Sequence, residues 1–276
     1  MLSCEEEIDK NQKSAYDLLK EEEFLTPIVT FSAAFDNMIG GGIPIGKITE
    51  ICGAPGTGKT QFGIQIAVSA QIPTLFGGIG GEALFVDTEG NFITERALEI
   101  AEAASKHIQD IAMEESELSN AAFGFTKHCI MNGIHVARCL NYNDLMALSY
   151  ILSDIILRHP KVKVVIVDSI AFHFRHEFED MGLRTRLLHT LVQSFMKVAY
   201  EYKIAIVLMN QMTTKLTESF SELAPALGQS WAHACTNRII LHSVNGKKYA
   251  QLVKSSSCQE ATVTYEITED GIRDSQ

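Results

Sequence analysis

The chain has 276 residues, of which 23 are Lys or Arg and 34 are Asp or Glu, so its formal net charge is −11 at neutral pH. Apolar residues make up 46% and charged residues 21%, a balance that excludes a wholly disordered chain and fits one large α/β domain or two small ones. The acidic balance argues against a protein that coats DNA or anionic membranes through bulk charge, although it leaves room for a local basic groove.

Residues 1–26 are rich in charge and predict a linker-like segment with one short amphipathic helix at Ala15–Leu19, ended by Pro27. Residues 27–276 predict a single domain in which apolar runs alternate with longer helical windows. The predicted strands are Ile48–Cys52, Ala83–Asp87, His135–Cys139, Val162–Asp168, Ile204–Met209 and Arg238–His242. The predicted helices are Thr60–Ala70, Glu95–Met113, Tyr142–Arg158 and Arg184–Tyr202.

Several predicted strands are continuous β-branched runs, as expected for parallel strands that are covered on both faces. Their alternation with helices predicts right-handed crossovers and a mostly parallel, doubly wound α/β sheet. Near the C-terminus, Gln251–Val253 and Ala261–Ile267, with turns at Asn245-Gly246 and Asp270-Gly271, predict a short antiparallel edge.

The six cysteines are scattered and predict reduced thiols of an intracellular protein. His128, Cys129, His135 and Cys139 form the best metal candidate, but their spacing is unlike a zinc knuckle and favours packing. The first residues do not form a signal peptide, and no apolar run approaches the ~18 residues of a membrane span. We therefore expect a soluble, cytosolic or nuclear protein without a membrane partner.

A phosphate-binding loop follows the first predicted strand and opens the first long predicted helix, which is the context this motif requires. Its glycines allow backbone amides to wrap phosphates, Lys59 supplies a positive charge and the Thr60 hydroxyl suits Mg²⁺. A glycine turn with a surface lysine is the alternative. The expected nucleotide-binding residues are Gly53, Ala54, Pro55, Gly56, Thr57, Gly58, Lys59, Thr60 and Gln61.

Polar residues at the ends of other predicted strands complete the expected site. Asp168 ends a buried strand and would hold Mg²⁺ through its water shell, although such an aspartate can also cap a helix. Glu89 lies just beyond another strand and is the better placed of two carboxylates to activate water; a solvated turn residue is the alternative. Asn210 and Gln211 follow a third strand, where an amide can sense the γ-phosphate.

Five dispersed motifs carry a family resemblance over residues 28–274. The chain reads Phe35-Asp-Asn-Met-Ile-Gly-Gly-Gly-Ile-Pro-Ile-Gly-Lys-Ile-Thr-Glu50 before the phosphate loop and Val86-Asp-Thr-Glu-Gly90 after it. Further on come Asn210-Gln-Met-Thr-Thr-Lys215, Pro225-Ala-Leu-Gly228 and Trp231-Ala-His-Ala-Cys-Thr-Asn-Arg238. Together they resemble the RecA family of recombinases.

Within that family the chain is most similar to the eukaryotic Rad51 paralogues, and among these to the paralogue C subfamily. The runs that indicate this subfamily are Glu50-Ile-Cys-Gly-Ala-Pro-Gly56, Phe172–Asp180 and Leu183–Leu188. The resemblance implies a RecA-like P-loop ATPase core with ATP and Mg²⁺ as cofactors. It also implies a DNA-dependent ATPase that acts in homologous recombination with other paralogues on single-stranded or branched DNA, with the nucleus as its location and the cytoplasm as a second one.

The resemblance also implies roles for single residues. Glu89 matches the family's catalytic glutamate, Gln211 its γ-phosphate sensor and Arg96 the side chain against adenine. Two stretches, 171–185 and 212–228, match the family's DNA-facing loops. The basic residues on or beside these loops, which are the expected DNA contacts, are Arg175, Arg184, Arg186 and Lys215.

Some features depart from the family pattern. No counterpart of the family's N-terminal DNA-binding domain or of the basic C-terminal tail of paralogue C is found, so the chain is interpreted as a core. The first loop contains Glu177, Glu179 and Asp180, which weaken phosphate contact, so we expect DNA binding to need partners. The alternative function is an interaction scaffold in which bound ATP stabilises protomer interfaces.

Two further positions receive an interpretation. Lys254 stands where the family's strand-exchange enzyme has an aspartate, and we expect it to reach ATP on a neighbouring protomer; a solvated lysine is the alternative. The segment Phe31-Ser-Ala-Ala34 matches the sequence pattern of the family's polymerisation plug, but it comes too late in the chain for that role. Phe31 is therefore predicted to be a core residue. The apolar face of Ala15–Leu19 is predicted to be the better segment for docking on a partner.

Overall fold

One large mixed sheet organises the chain. The computed structural model describes residues 12–114, 118–176, 178–216 and 221–275. The strands are β1 (Ile48–Gly53), β2 (Glu82–Asp87), β3 (Ile134–Arg138), β4 (Val162–Asp168), β5 (Ala205–Leu216), β6 (Ser221–Pro225), β7 (Asn237–Val244), β8 (Lys247–Lys254), β9 (Ala261–Thr268) and β10 (Gly271–Asp274). The helices are α1 (Ala15–Glu23), α2 (Ala33–Met38), α3 (Lys59–Ser69), α4 (Thr94–Glu114), α5 (Ser119–Phe123), α6 (Lys127–Asn132), α7 (Tyr142–Arg158), α8 (Phe172–His176), α9 (Met181–Tyr202) and α10 (Gln229–Ala232).

The strand order is β10-β9-β8-β7-β1-β5-β4-β2-β3, with β6 paired to β5 outside this path. The six strands from β7 to β3 run parallel, whereas β8, β9 and β10 continue the sheet antiparallel. The predicted fold class, a mostly parallel RecA-like α/β sheet with an antiparallel C-terminal edge, is confirmed.

Two apolar cores cover the two faces of the sheet, and the pleat of β4 shows how the sequence builds both. Val164 and Ile166 belong to one core with α3 and α4, while Val165 and Val167 belong to the other with α7 and α9. Successive strand residues point to opposite faces, so a continuous apolar run supplies both cores at once. Because the central strands run parallel, their carboxyl ends lie at one rim of the sheet.

Several helix and strand boundaries differ from the predicted ones, because helix capping and strand pairing also determine where an element begins and ends. Helix α9 begins at Met181, three residues before the predicted start, since the Asp180 side chain accepts hydrogen bonds from the first helical amides. Strand β5 continues past Met209 to Leu216 because it pairs antiparallel with β6. The last turn contains Glu269 and Asp270, so the prediction at Asp270-Gly271 was wrong by one residue.

Helix α1 ends at Glu23 rather than at Pro27, and it has no buried residue. It starts with a capping box at Ser14 and lies near the rest of the chain through ion pairs of Glu21 with Lys203 (3.9 Å) and Glu22 with Lys47 (4.0 Å). The division into a segment 1–26 and a domain 27–276 stays a prediction.

A buried polar contact joins Thr30 and Asp36 near the start of α2. The Asp36 carboxylate accepts hydrogen bonds from the Thr30 amide (2.9 and 3.0 Å) and the Thr30 hydroxyl (2.8 Å). Between these residues Phe31 packs partly buried against the core, with its ring 5.5 Å from that of His107. This packing agrees with the interpretation of Phe31 as a core residue. Across the described ranges, none of the helices combines the length and apolarity needed to cross a bilayer.

Candidate functional site

A cleft of about 460 Å³ opens at the rim where β1, β2, β4 and the parallel part of β5 end. Parallel pairing aligns these ends, because Gly53 pairs with Gln211 and Asp87 with Asp168. The carboxyl edge of an open parallel sheet is where such folds bind ligands. The lining residues are Pro55, Gly56, Gly58, Lys59, Thr60, Gln61, Glu89, Asn91, Asp168, Arg175, Gln211, Met212 and Ile267.

The phosphate loop connects β1 to α3 in a conformation that its glycines allow. Gly56 and Gly58 have φ values of 80° and 99°, in the left-handed region. A Cβ atom on Gly53 would lie 2.4 Å from the Thr57 hydroxyl, so the close turn also needs glycine there. The Tyr265 hydroxyl donates to the Thr57 carbonyl at 2.6 Å and holds the loop from below. Gly56, Gly58, Lys59 and Thr60 line the cleft, so the loop and its lysine face a space that suits a phosphate group.

Lys59, the first residue of α3, directs its ammonium group across the loop. It donates to the carbonyls of Gly53 (2.8 Å) and Ala54 (3.1 Å). Burial lowers the pKa of Lys59, and the nearby carboxylates of Asp168 and Glu89 act in the opposite direction. A half-buried cation beside backbone amides suits an anionic ligand of high charge, such as a triphosphate.

Thr60 and Asp168 meet at the floor of the cleft, as the sequence predicted. The Thr60 hydroxyl donates to Asp168 Oδ2 at 2.6 Å. Burial raises the pKa of Asp168 to about 6, against the hydrogen bond from Thr60 that lowers it. A hydroxyl and a carboxylate at the end of a phosphate loop are oxygen ligands of the kind that Mg²⁺ prefers, so these residues fit that ion.

Glu89 lies in the cleft with its carboxylate held by hydrogen-bond donors from three segments. Oε1 accepts from Gln211 Nε2 at 2.7 Å and from the Ser169 hydroxyl, while Oε2 accepts from Asn91 Nδ2 at 3.1 Å. The donors come from β5, from the end of β4 and from the turn after β2. A carboxylate in this position is oriented rather than merely solvated, which favours the catalytic interpretation over that of a turn residue.

The neighbouring carboxylate of Asp87 has a structural task. Its Oδ1 accepts from the amides of Gly90 (2.7 Å) and Asn91 (3.1 Å), and its Oδ2 accepts from Arg138 at 3.0 Å. These bonds close the turn that carries Glu89 into the cleft.

Arg96 lies beside the cleft on α4 and links it to β9. Its guanidinium donates to the Gln61 side chain (2.7 Å), to Glu99 (2.7 Å) and to the carbonyls of Thr268 (2.5 Å) and Glu269 (2.6 Å). The role of Arg96 against adenine stays a prediction.

Lys254, at the end of β8, lies outside the residues that line this cleft. Its ammonium donates to the carbonyl of Ala232 (3.0 Å), the last residue of α10, and to that of Cys235 (2.6 Å), just after the helix. It is therefore bonded within its own chain rather than solvated in a polar turn, and contact with a neighbouring protomer stays a prediction.

The four basic residues predicted to face DNA occupy different environments. Arg175 is exposed and donates to Gln211 Oε1 at 2.6 Å, whereas Arg184 is half-buried, and burial and the charge of Arg175 lower its pKa. Arg186 is exposed on α9. Lys215 belongs to β5, and its side chain lies outside the described residues. DNA contact by these residues stays a prediction.

Behind the cleft, a fully buried carboxylate joins four elements. Glu50 of β1 accepts from Asn210 (2.7 Å), from the Trp231 indole (2.7 Å) and from Arg238 Nε (2.6 Å). Asn210 also donates to the Ala226 carbonyl at 3.0 Å, which ties the two ends of the segment 210–226 together. The strand that leads into the phosphate loop is thereby bonded to the residue next to Gln211.

Sequence reasoning assigned no role to Ser169, Asn91 or Glu50. Sequence signals could have found two of these residues. Ser169 follows Asp168 directly at a strand end, and Glu50 is a charged residue in a mostly apolar strand. The partners of Glu50, however, are 160 or more positions away in the chain.

The cysteine and histidine group does not converge. His135 pairs with Glu82 at 2.8 Å, while Cys139 is buried in the apolar core and Cys129 is exposed. Within the ranges that the structure describes, no three His, Cys, Asp or Glu side chains are placed to share a metal ion.

Comparison with known proteins gives a consistent result. The Rad51 family model matches residues 21–115 and 116–275. The chain is 45% identical over 263 residues to DNA repair protein RAD51 homolog 3 of Cricetulus griseus, a match that spans 95% of this chain and 72% of that protein. It is 37% identical over 270 residues to the protein of the same name in Dictyostelium discoideum, spanning 97% of this chain and 71% of that protein.

Proposed function

Because the chain belongs to the Rad51 family, a family of RecA-like ATPases, we propose that it binds and hydrolyses ATP as a subunit of a homologous-recombination DNA-repair complex. The observation that carries this proposal is the single cleft in which the phosphate loop faces Glu89, Asp168 and Gln211. The two relatives named as DNA repair proteins support the biological setting. The partners are other recombinase paralogues and single-stranded or branched DNA, and the location is the nucleus.

In this proposal the phosphate loop holds the triphosphate of ATP. The backbone amides of residues 56–60 and the Lys59 ammonium bind the β- and γ-phosphates, with Gln61 next to them on α3. Thr60 and Asp168 hold Mg²⁺, which when bound neutralises charge on the phosphate oxygens. The buried Asp168 carboxylate keeps a negative charge at the floor of the cleft for that ion, and Arg96 contacts the adenine.

Glu89 acts as the general base. Its carboxylate takes a proton from the water that attacks the γ-phosphate, a task for which a positioned carboxylate at the rim of the cleft is suited. Ser169, Gln211 and Asn91 donate to this carboxylate and limit its rotation, so that its orientation is set before ATP arrives. Gln211 also reports the presence of the γ-phosphate to the segment that follows it.

ATP binding and turnover, measured separately, test this function. Since Glu89→Gln keeps the shape of the side chain and removes its ability to take a proton, we expect turnover to fall by about 10²-fold or more while ATP affinity stays near that of wild type. Lys59→Ala is expected to lose ATP binding itself. Glu102→Gln, which changes an exposed carboxylate that pairs with Lys127 on the surface, is the matched control and should behave as wild type. Wild-type turnover in Glu89→Gln would contradict the role of Glu89.

A scaffold that uses bound ATP to stabilise protomer interfaces is the second candidate. It is favoured by the engagement of Arg175 with Gln211 and by the half-burial of Arg184, which reduce the basic surface open to DNA. Binding of a labelled single-stranded oligonucleotide, by the chain alone and in complex with partner paralogues, decides between the two. Binding by the complex alone supports the repair subunit that needs partners, whereas no binding by either supports the scaffold.

A further inference from the structure

The side-chain amide of Gln211 is held from both sides. Its Nε2 donates to Glu89 Oε1 at 2.7 Å, and its Oε1 accepts from Arg175 Nη1 at 2.6 Å. Arg175 thus continues the line of hydrogen bonds that begins at the carboxylate assigned as the base. All three side chains line the same cleft as the phosphate loop.

The chemistry of these groups permits only one orientation of the amide. A guanidinium has donors and no acceptor, and an ionised carboxylate has acceptors and no donor. If Gln211 turned over, its NH₂ group would face the Arg175 donors and its carbonyl would face the Glu89 oxygens, so both bonds would be lost. Glu89 alone already favours this orientation, and Arg175 adds the bond that holds the amide from its oxygen end.

Arg175 reaches the site from a different part of the chain than the other donors. It lies on the short helix α8, which follows β4, whereas Gln211 lies in β5 and Glu89 follows β2. Ser169 and Asn91 also bond Glu89, but neither is bonded to the amide oxygen of Gln211. The bond from Arg175 therefore makes a separate contribution to the geometry of the site.

We propose that Arg175 is a positioning residue of the hydrolytic site, whose guanidinium bonds the oxygen of the Gln211 amide and thereby holds its NH₂ group against the Glu89 carboxylate. The kinetic part of this inference rests on the proposed ATPase function. It gives Arg175 a task within its own chain, in the absence of DNA, in addition to the DNA contact predicted for it.

The orientation of the amide can be measured without ATP. In protein labelled with ¹⁵N at glutamine side chains, the NH₂ signal that disappears in Gln211→Ala belongs to Gln211. In wild type we expect this signal to exchange its protons with water more slowly than those of exposed glutamines, because both ends of the amide are bonded. In Arg175→Ala the signal should shift and its exchange should become several-fold faster. An unchanged signal would overturn the inference.

The kinetic consequence is measured in the full chain without DNA. We expect Arg175→Ala to lower kcat about tenfold, as when one hydrogen bond of an orienting chain is lost, with KM and ATP affinity within about twofold of wild type. Arg175→Lys, which can still donate to the amide oxygen, should recover part of kcat. Arg158→Ala, which removes an exposed arginine at the end of α7, is the matched control and should leave both parameters unchanged.

A double-mutant cycle separates positioning through Gln211 from any other effect of Arg175. In a Gln211→Ala background, removal of Arg175 should change kcat by no more than about twofold, since the group through which it acts is absent. Independent, additive losses in the two variants would overturn the inference. If wild type fails to hydrolyse ATP, the proposed function falls, while the amide signal still decides whether Arg175 orients Gln211.

Discussion

Two buried aspartates, Asp168 and Asp36, have different roles because they lie in different parts of the fold. Asp168 lies at the cleft and bonds Thr60, whereas Asp36 is remote from it and bonds only the chain segment at Thr30. Burial raises the pKa of Asp36 to about 6, because its loss of hydration outweighs the hydrogen bonds from Thr30, and the nearby Asp274 acts in the same direction. The folded protein therefore holds a proton on Asp36 more tightly than the unfolded chain does.

This difference predicts a pH dependence of stability. Between about pH 4 and pH 6 the folded state carries more protons at Asp36 than the unfolded state, so the free energy of unfolding should fall as the pH rises. The free energy of unfolding should fall by on the order of 3 kcal/mol as the pH rises from 3.8 to about 6, the two pKa values of Asp36. Above this interval Asp36 should contribute no further change.

Urea unfolding of wild type and Asp36→Asn measures this contribution. The variant cannot ionise at this position, so the stability of wild type relative to the variant should fall from pH 4.5 to pH 6 and stay level from pH 6.5 to pH 7.5, by the linkage of proton binding to folding. The upper interval is the internal control, since the carboxyl is ionised in both states there. A relative stability that does not change in the lower interval would contradict the prediction.

At the scale of single elements, the phosphate loop depends on glycines for two different reasons. Gly53 leaves no room for a side chain, since a Cβ atom would lie 2.4 Å from Thr57 Oγ1. Gly56 has room for a Cβ atom but a φ of 80°, and it lines the cleft. Gly246, in the β7–β8 hairpin, has nearly the same φ of 81° and equally open surroundings, but it lies outside the cleft.

Alanine substitution at Gly56 and Gly246 separates backbone strain from loss of the ligand site. We expect both variants to lower the free energy of unfolding by a similar ~1–2 kcal/mol, the cost of a left-handed conformation for a residue with a Cβ atom. Only Gly56→Ala should weaken ATP binding, by about tenfold (about 1.4 kcal/mol), because Gly56 lines the cleft and a changed backbone there displaces the amides that bind phosphate. Thermal unfolding and titration with a fluorescent ATP analogue measure the two effects, and equal ATP affinities in the two variants would contradict this assignment.

At the scale of the whole molecule, the buried Glu50 carboxylate joins the middle of the sheet to the segment beside the cleft. Its partners come from β5, β7 and α10, so that one charge bonds four elements. Arg238 is the cationic partner, with Nε 2.6 Å from Glu50 and the side chain only 11% exposed. Removing one member of such a pair leaves the other charge buried without compensation.

Glu50→Ala is therefore expected to destabilise the protein by about 3–5 kcal/mol in denaturant unfolding. Glu82→Ala is the matched control, because Glu82 also pairs across strands, with His135 at 2.8 Å, but is 26% exposed; it should cost about 1 kcal/mol or less. Similar losses in the two variants would show that the Glu50 network does not hold the elements together.

The fold class and several residues of the cleft were readable from the sequence because their signals are local. A phosphate loop needs its residue types at consecutive positions, and the predicted strands that end in Asp168 and before Glu89 and Gln211 are apolar runs of five to seven residues with polar residues at their ends. Parallel pairing then brings strand ends to one edge, whatever the order of the strands. The family resemblance, confirmed by the match over residues 21–115 and 116–275, drew on the same motifs.

Only the tertiary structure decided which side chains bond one another across the sheet. Arg175 bonds Gln211, Glu50 bonds Trp231 and Arg238, and Lys254 bonds carbonyls at the end of α10 and just after it, at chain separations from 19 to 188 residues. No local pattern encodes such pairs, because they arise from strand order, register and the exclusion of water from the core. For the same reason the sequence identified Glu89 as a candidate base, but the donors that orient it became visible only in the folded chain.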